Sequence, residues 1–71
     1  MNSEFFKALV EAIRLEVKRN RRNGITGMSV ENLRQIVHPP SWSLSGAPRG
    51  TNAQYAYGEL FRDACGMAGV R

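Results

Sequence analysis

Lys18, Arg19, Arg21 and Arg22 place four of the chain's ten basic residues within five positions, directly ahead of Asn23-Gly24. A cluster that dense suits a polyanion, and a nucleic-acid backbone is its commonest partner. The competing reading is a solvated helix end whose cations offset the negative end of the helix dipole. Farther along, Arg49 can add a phosphate contact, and Asn52 stands at a helix start whose backbone N–H groups suit a phosphate. Gln54, Tyr55 and Arg62 follow on the outward side of that helix. Gln and Arg are types that read base edges in the major groove. Glu59 and Asp63 put negative charge on the same helix, as a plain packing helix of mixed surface charge would.

No comparable set supports catalysis. Asp63 and Cys65 have no second carboxylate or histidine nearby in sequence to complete a dyad. His38, ahead of Pro39-Pro40, reads as a helix-end cation or a surface residue rather than a switch. Cys65 reads as a small buried hydrophobe in preference to a reactive thiol. Ser41, Ser43 and Ser45 lack a base, and the glycines lack the lysine and strand–loop–helix setting of a phosphate loop. A single cysteine excludes an internal disulfide, and one cysteine with one histidine is too few soft ligands for structural zinc. The expectation is a non-enzyme without catalytic residues, metal or cofactor.

Seventy-one residues suffice for one domain, 1–71. A chain this short buries only about 60% of the surface its unfolded form exposes, so its stability margin is thin. Hydrophobic content of 42% and charged content of 23% belong to a folded chain, and the net charge of +4 favours acidic partners. Glu4, Lys7, Glu11 and Arg14 interrupt the apolar residues of the first fifteen positions. No run there reaches a signal-peptide core or a membrane span, so a cytoplasmic protein without a membrane partner is expected. Met1 without a tag points to a complete small gene product, of a kind common in phages and mobile elements.

The elements that must position these residues follow from apolar spacing. Ser3 suits an N-cap, with Glu4 in the first turn. Phe6, Leu9 or Val10, Ile13 and Val17 then define a buried helical stripe. Lys7, Glu11, Arg14, Lys18 and Arg21 share another face, where Lys7–Glu11 and Glu11–Arg14 can pair. Asn23-Gly24 suits a left-handed C-cap. After the connector Ile25 to Met28, Ser29 caps a short helix carrying Val30, Leu33, Ile36 and Val37, which His38-Pro39-Pro40 stops. Ser41 to Gly50 reads as loop, with Trp42 and Leu44 folding back over the core. Thr51 or Asn52 caps a third helix that buries Tyr57, Leu60 or Phe61, Ala64 and Ala68, and Gly66 and Gly69 weaken its end. The expected fold is all-α, a three-helix domain of helix-turn-helix type.

The order of a long helix, Met28-Ser29-Val30-Glu31-Asn32-Leu33, a proline-containing loop and Ala56-Tyr57-Gly58-Glu59-Leu60-Phe61-Arg62-Asp63-Ala64 resembles winged-helix domains of small phage-encoded proteins. In those, an aromatic-glycine pair precedes a Phe-Arg step, and a small-residue turn such as Met67-Ala68-Gly69-Val70 leads into the wing. The resemblance covers Thr26 to Val70. It implies that Gln54, Tyr55, Gly58 and Arg62 face the DNA groove while Tyr57, Leu60 and Phe61 pack inside. Because the sequence ends at Arg71, where the wing would begin, the expected form is a truncated winged helix.

Two functions compete. The first is a DNA-binding regulator in which the third helix meets bases and the Lys18–Arg22 cluster meets phosphates of duplex DNA. One such domain reaches a single half-site, so a homodimer or a second protein would be needed for useful specificity. The second is a phage-type effector that binds and inhibits a host protein, such as RNA polymerase or a nucleic-acid-binding defence complex. Trp42, Arg49 and Tyr55 are its contact candidates, because Trp, Tyr and Arg dominate interface hot spots. A structural or assembly module with a basic surface is a third reading.

Overall fold

Phe5, Ala8, Leu9 and Ile13 recur on one helical stripe, and α1 (Ser3–Arg22) buries that stripe. The computed structural model describes residues 3–70. The side chain of Ser3, the expected cap, lies outside the described residues, and the helix already includes its backbone. Phe5, not Phe6, is the ring sealed in the core; Phe6 is half-buried, as is Val17. Phe5 shares a helical stripe with Leu9 and Ile13, whereas Phe6 lies about 100° round from it. At the other end, Gly24 takes a φ of +80°. Its N–H donates to the Arg21 carbonyl at 3.0 Å, and the Ile25 N–H donates to the Asn20 carbonyl at 2.8 Å. These two bonds form a Schellman closure, which needs a residue that tolerates the left-handed region.

The α2 helix (Val30–Ile36) starts on Ser29, whose Oγ accepts the Asn32 N–H at 3.2 Å. Leu33 and Val37 enter the core. Ile36, expected beside them, is exposed: two turns meet the core only along the Leu33–Val37 edge, and Ile36 sits about 60° round from Leu33. Val37 is already extended, so the helix stops before His38-Pro39-Pro40.

Residues 41–50 contain more order than a loop. Ser41–Gly46 form a 3-10 segment in which Ser43 is the buried residue. The Ser43 N–H and hydroxyl both donate to the Pro40 carbonyl, at 2.9 and 2.7 Å. Three residues per turn then send the neighbours of Ser43 outward. Trp42 and Leu44, expected to cover the core, are instead exposed, the indole by 65%.

The α3 helix (Ala53–Met67) buries Leu60, Phe61, Ala64 and Cys65, while Tyr57 and Ala68 are half-buried. Asn52 holds the cap position without a side-chain hydrogen bond. A second Schellman closure ends this helix, with Gly69 at a φ of +84°. There the Val70 N–H donates to the Cys65 carbonyl at 2.9 Å and the Gly69 N–H to the Gly66 carbonyl at 3.2 Å.

Every regular element among the described residues is a helix, and none is a strand. The 3-10 segment and α3 both pack on α1, and α2 packs on α3. Phe5 lies 6.3 Å from Tyr57, ring centre to ring centre, while Arg14 reaches the Met67 carbonyl at 3.5 Å. These two contacts align α1 and α3 in parallel, start beside start. Residues 37–52 link α2 to α3, a longer connection than the 3–4-residue turn usual between paired DNA-binding helices.

The core assignment is open to a thermal melt followed by circular dichroism. Phe5→Ala is expected to cost about 3–5 kcal/mol, enough to unfold so small a domain, and Phe6→Ala markedly less. Equal losses would contradict it.

Candidate nucleic-acid interface

Two surfaces carry the candidate residues. The first is the end of α1, where Lys18, Arg19, Arg21 and Arg22 are all exposed. The Schellman closure after Arg22 stops the helix there instead of letting it fray. Arg19 leans back to Glu16 at 3.2 Å, and Arg14 pairs with Glu11 at 3.1 Å. Such surface pairs contribute only ~0–1 kcal/mol. Lys18, Arg21 and Arg22 have no ion-pair partner among the described residues. Behind them, a cleft of about 200 Å³ is bounded by Val17, Arg21, the 25–28 connector, Gly69 and Val70. Ile25 of the first Schellman closure and Gly69 and Val70 of the second border it.

The second surface is α3 itself. Gln54, Tyr55, Glu59, Arg62 and Asp63 are exposed, with Tyr55 at 70%. On the α2 side, Arg34, Gln54, Tyr55, Gly58, Glu59 and Arg62 line a cleft of about 340 Å³. On the other flank, Gly46, Ala47 and Pro48 face Ala56, Leu60 and Asp63 across a cleft of about 400 Å³. Glu59 borders both. Arg49 and Asn52 are exposed ahead of the helix. The Ala53 N–H at this helix start is already committed to the Gly50 carbonyl at 3.2 Å. Trp42 borders neither α3 cleft.

Parallel packing separates the two surfaces. Gln54 and Tyr55 lie near the start of α1, and Lys18 lies ~20 Å away along its axis at 1.5 Å per residue. The outward faces also look apart, since α1 and α3 turn their buried stripes toward the same core. Gln54, Tyr55 and Arg62 therefore come together, and Lys18, Arg21 and Arg22 come together, but the two sets do not.

Arg34 was not among the sequence candidates. Within the chain it looks like the basic member of the last turn of α2, and only the tertiary fold brings it over α3. The available signal was Gly58, because a glycine inside a helix is unfavourable by ~1 kcal/mol against alanine and often marks a close approach.

Burial raises the Tyr57 hydroxyl pKa, and the nearby Arg34 charge opposes that rise. Burial alone pushes the Cys65 thiol above its ordinary value of 9.0. Both groups bind protons more tightly folded than unfolded, so their contribution to stability is full below about pH 9 and falls as pH climbs through the raised values. Among the described residues, no three His, Cys, Asp or Glu side chains gather to hold a metal, and no helix is long and apolar enough to cross a membrane.

Cys65 is expected to resist iodoacetamide at pH 8 in the native protein and to react within minutes once unfolded in guanidinium. Rapid labelling of the folded protein would mean that the thiol is accessible. Compared with known protein families, curated proteins and solved structures, the chain matches none.

Proposed function

We propose that the protein binds nucleic acid through the phosphate backbone, as a small basic helical DNA-binding protein of regulator type. The observation that carries this reading is the set Lys18, Arg21 and Arg22. All three are exposed and lack a carboxylate partner among the described residues, on a helix end closed by its own hydrogen bonds. Cations held that way release condensed counterions when they meet a duplex, which drives association without reading sequence. In the helix-turn-helix and winged-helix versions of the proposal, α3 supplies the base contacts from Gln54, Tyr55 and Arg62. The offset along α1 to Lys18, ~20 Å from Gln54 and Tyr55 and ~12 Å from Arg62, together with outward faces that look apart, means that such a version calls for a second copy of the chain on the same duplex.

The test is fluorescence anisotropy on mixed-sequence duplex DNA at several salt concentrations. Replacing Lys18, Arg21 and Arg22 together by alanine should weaken binding on every sequence alike. It should also flatten the slope of log affinity against log salt by about 2–3. An unchanged slope would remove the α1 end from the interface.

A second reading, binding to a host protein such as RNA polymerase or a defence complex, is favoured by Trp42 and Tyr55. Trp42 is 65% exposed beside the anchored Ser43, and Tyr55 is 70% exposed. Exposed aromatic side chains on fixed backbone are what interface hot spots use. Trp42→Ala and Tyr55→Ala should melt within a few degrees of the parent, since neither removes a core contact. On this reading they abolish capture of purified RNA polymerase by the immobilised protein. Capture that survives both substitutions would discard these contacts.

A further inference from the structure

Arg34 is held differently from the chain's other described cations. Its Nη1, Cζ and Nη2 atoms lie 3.2, 3.5 and 3.6 Å from where a Cβ on Gly58 would stand. Three nearly equal distances mean that the guanidinium lays its flat face on the helix at the residue that has no side chain. The same group lies 6.0 Å from the Tyr57 ring centre, within cation–π range. Stacking of this kind occupies the face and leaves the N–H edge unspent. Among the described residues Arg34 has no carboxylate partner and donates no hydrogen bond.

That edge borders the cleft of about 340 Å³ into which Gln54, Tyr55 and Arg62 also open. Arg62 likewise has no ion-pair partner among the described residues. Glu59 is the one carboxylate on the lining, so two guanidinium charges outweigh it.

We propose that this cleft binds a phosphate group, with Arg34 as the pre-oriented fork, Arg62 as the second cation, and Gln54 and Tyr55 as neutral donors. Arginine forks match the oxygens of carboxylate and phosphate alike. Two forks, an amide and a phenol supply more donors than two carboxylate oxygens can use, and the tetrahedral group takes them up. The site stands on its own residues, none of them in the basic cluster and set back along α1 from Lys18 by ~12 Å at Arg62 and ~20 Å at Gln54, so it can hold while the α1 reading fails. The phosphate can belong to a free monophosphate or to a nucleic-acid backbone.

The experiment follows the arginine Nε–Hε signals of the full chain by NMR, titrating inorganic phosphate against chloride at equal ionic strength. Arg34 and Arg62 should shift saturably with phosphate and not with chloride. Arg34→Gln should weaken the effect about tenfold or more, and Arg34→Lys, which keeps the charge but loses the planar fork, nearly as much. Gly58→Ala sets a methyl 3.2 Å from Nη1, which the flexible end of Arg34 meets by giving a few tenths of an ångström, while favouring the helix. It should melt no lower than the parent and lose less phosphate affinity than Arg34→Gln, a ranking that the reverse order would contradict. The Lys18, Arg21 and Arg22 triple variant should bind phosphate normally.

Competition then identifies the source. Displacement of phosphate by a 5′-hydroxyl duplex assigns a backbone phosphate, and displacement by adenosine monophosphate alone assigns a free monophosphate. Equal responses to phosphate and chloride, or an unchanged response in Arg34→Gln, would overturn the proposal.

Discussion

The parallel apposition of α1 and α3 across Phe5, Leu9, Ile13 and Phe61 is the constraint on which the rest of the molecule depends. Both helices then run toward the same end of the protein, where α1, the longer at 20 residues against 15, continues about two turns past Arg14 and the end of α3 at Met67. Each carries about half a negative charge at its last turn, so this end of the protein concentrates partial negative charge from two sets of unsatisfied carbonyls. Arg14 meets one of them directly at Met67, and Lys18, Arg21 and Arg22 lie exposed on the last turns of α1. Two glycine closures satisfy the carbonyls that the cations do not reach. The basic cluster therefore has a structural cause as well as a candidate ligand.

That double role bears on function. Cations that offset helix ends still present a positive surface, because the helix charges are fractional and the side chains extend beyond them. A phosphate backbone meeting them gains electrostatic attraction without base recognition. The face of α3 is of another kind, with Arg34, Arg62 and the single carboxylate of Glu59 around a defined notch. One surface is suited to general adhesion and the other to a particular small group. Nothing in the geometry makes them work on the same few base pairs.

Local features were largely legible in the sequence. Ser29, Gly24, the proline stop after Val37 and the Glu11–Arg14 pair all depend on neighbours within five residues, and each stands as expected. Exposure of Gln54, Tyr55 and Arg62 was equally readable from helical spacing. The misreadings concern choices between adjacent apolar residues. Phe5 against Phe6 turns on which direction the partner helix lies, which two identical side chains cannot reveal, while at Ser43 against Trp42 and Leu44 hydrophobicity alone favours the larger neighbours. A small hydroxyl won inside because its bond to the Pro40 carbonyl, which also accepts the Ser43 N–H, offsets the cost of burying it. The Arg34–Gly58 seat was illegible for the same reason, since it joins positions on separate helices. The parallel pairing could not be inferred either: apolar periodicity shows that two helices share a core, and says nothing about their relative direction.

Parallel pairing also dictates how the chain must come together. Arg14 and Met67 are 53 residues apart, and Phe5 and Tyr57 are nearly as distant. Most small helical proteins fold quickly because each helix docks on its sequence neighbour. Here α1, long enough to form on its own hydrogen bonds, meets first the 3-10 segment of residues 41–46 and then α3. The closing entropy falls on contacts late in the sequence, because Leu60, Phe61, Ala64 and Cys65 supply the opposing half of the core. Docking between helices some 50 residues apart thus enters the assembly of an architecture made only of helices.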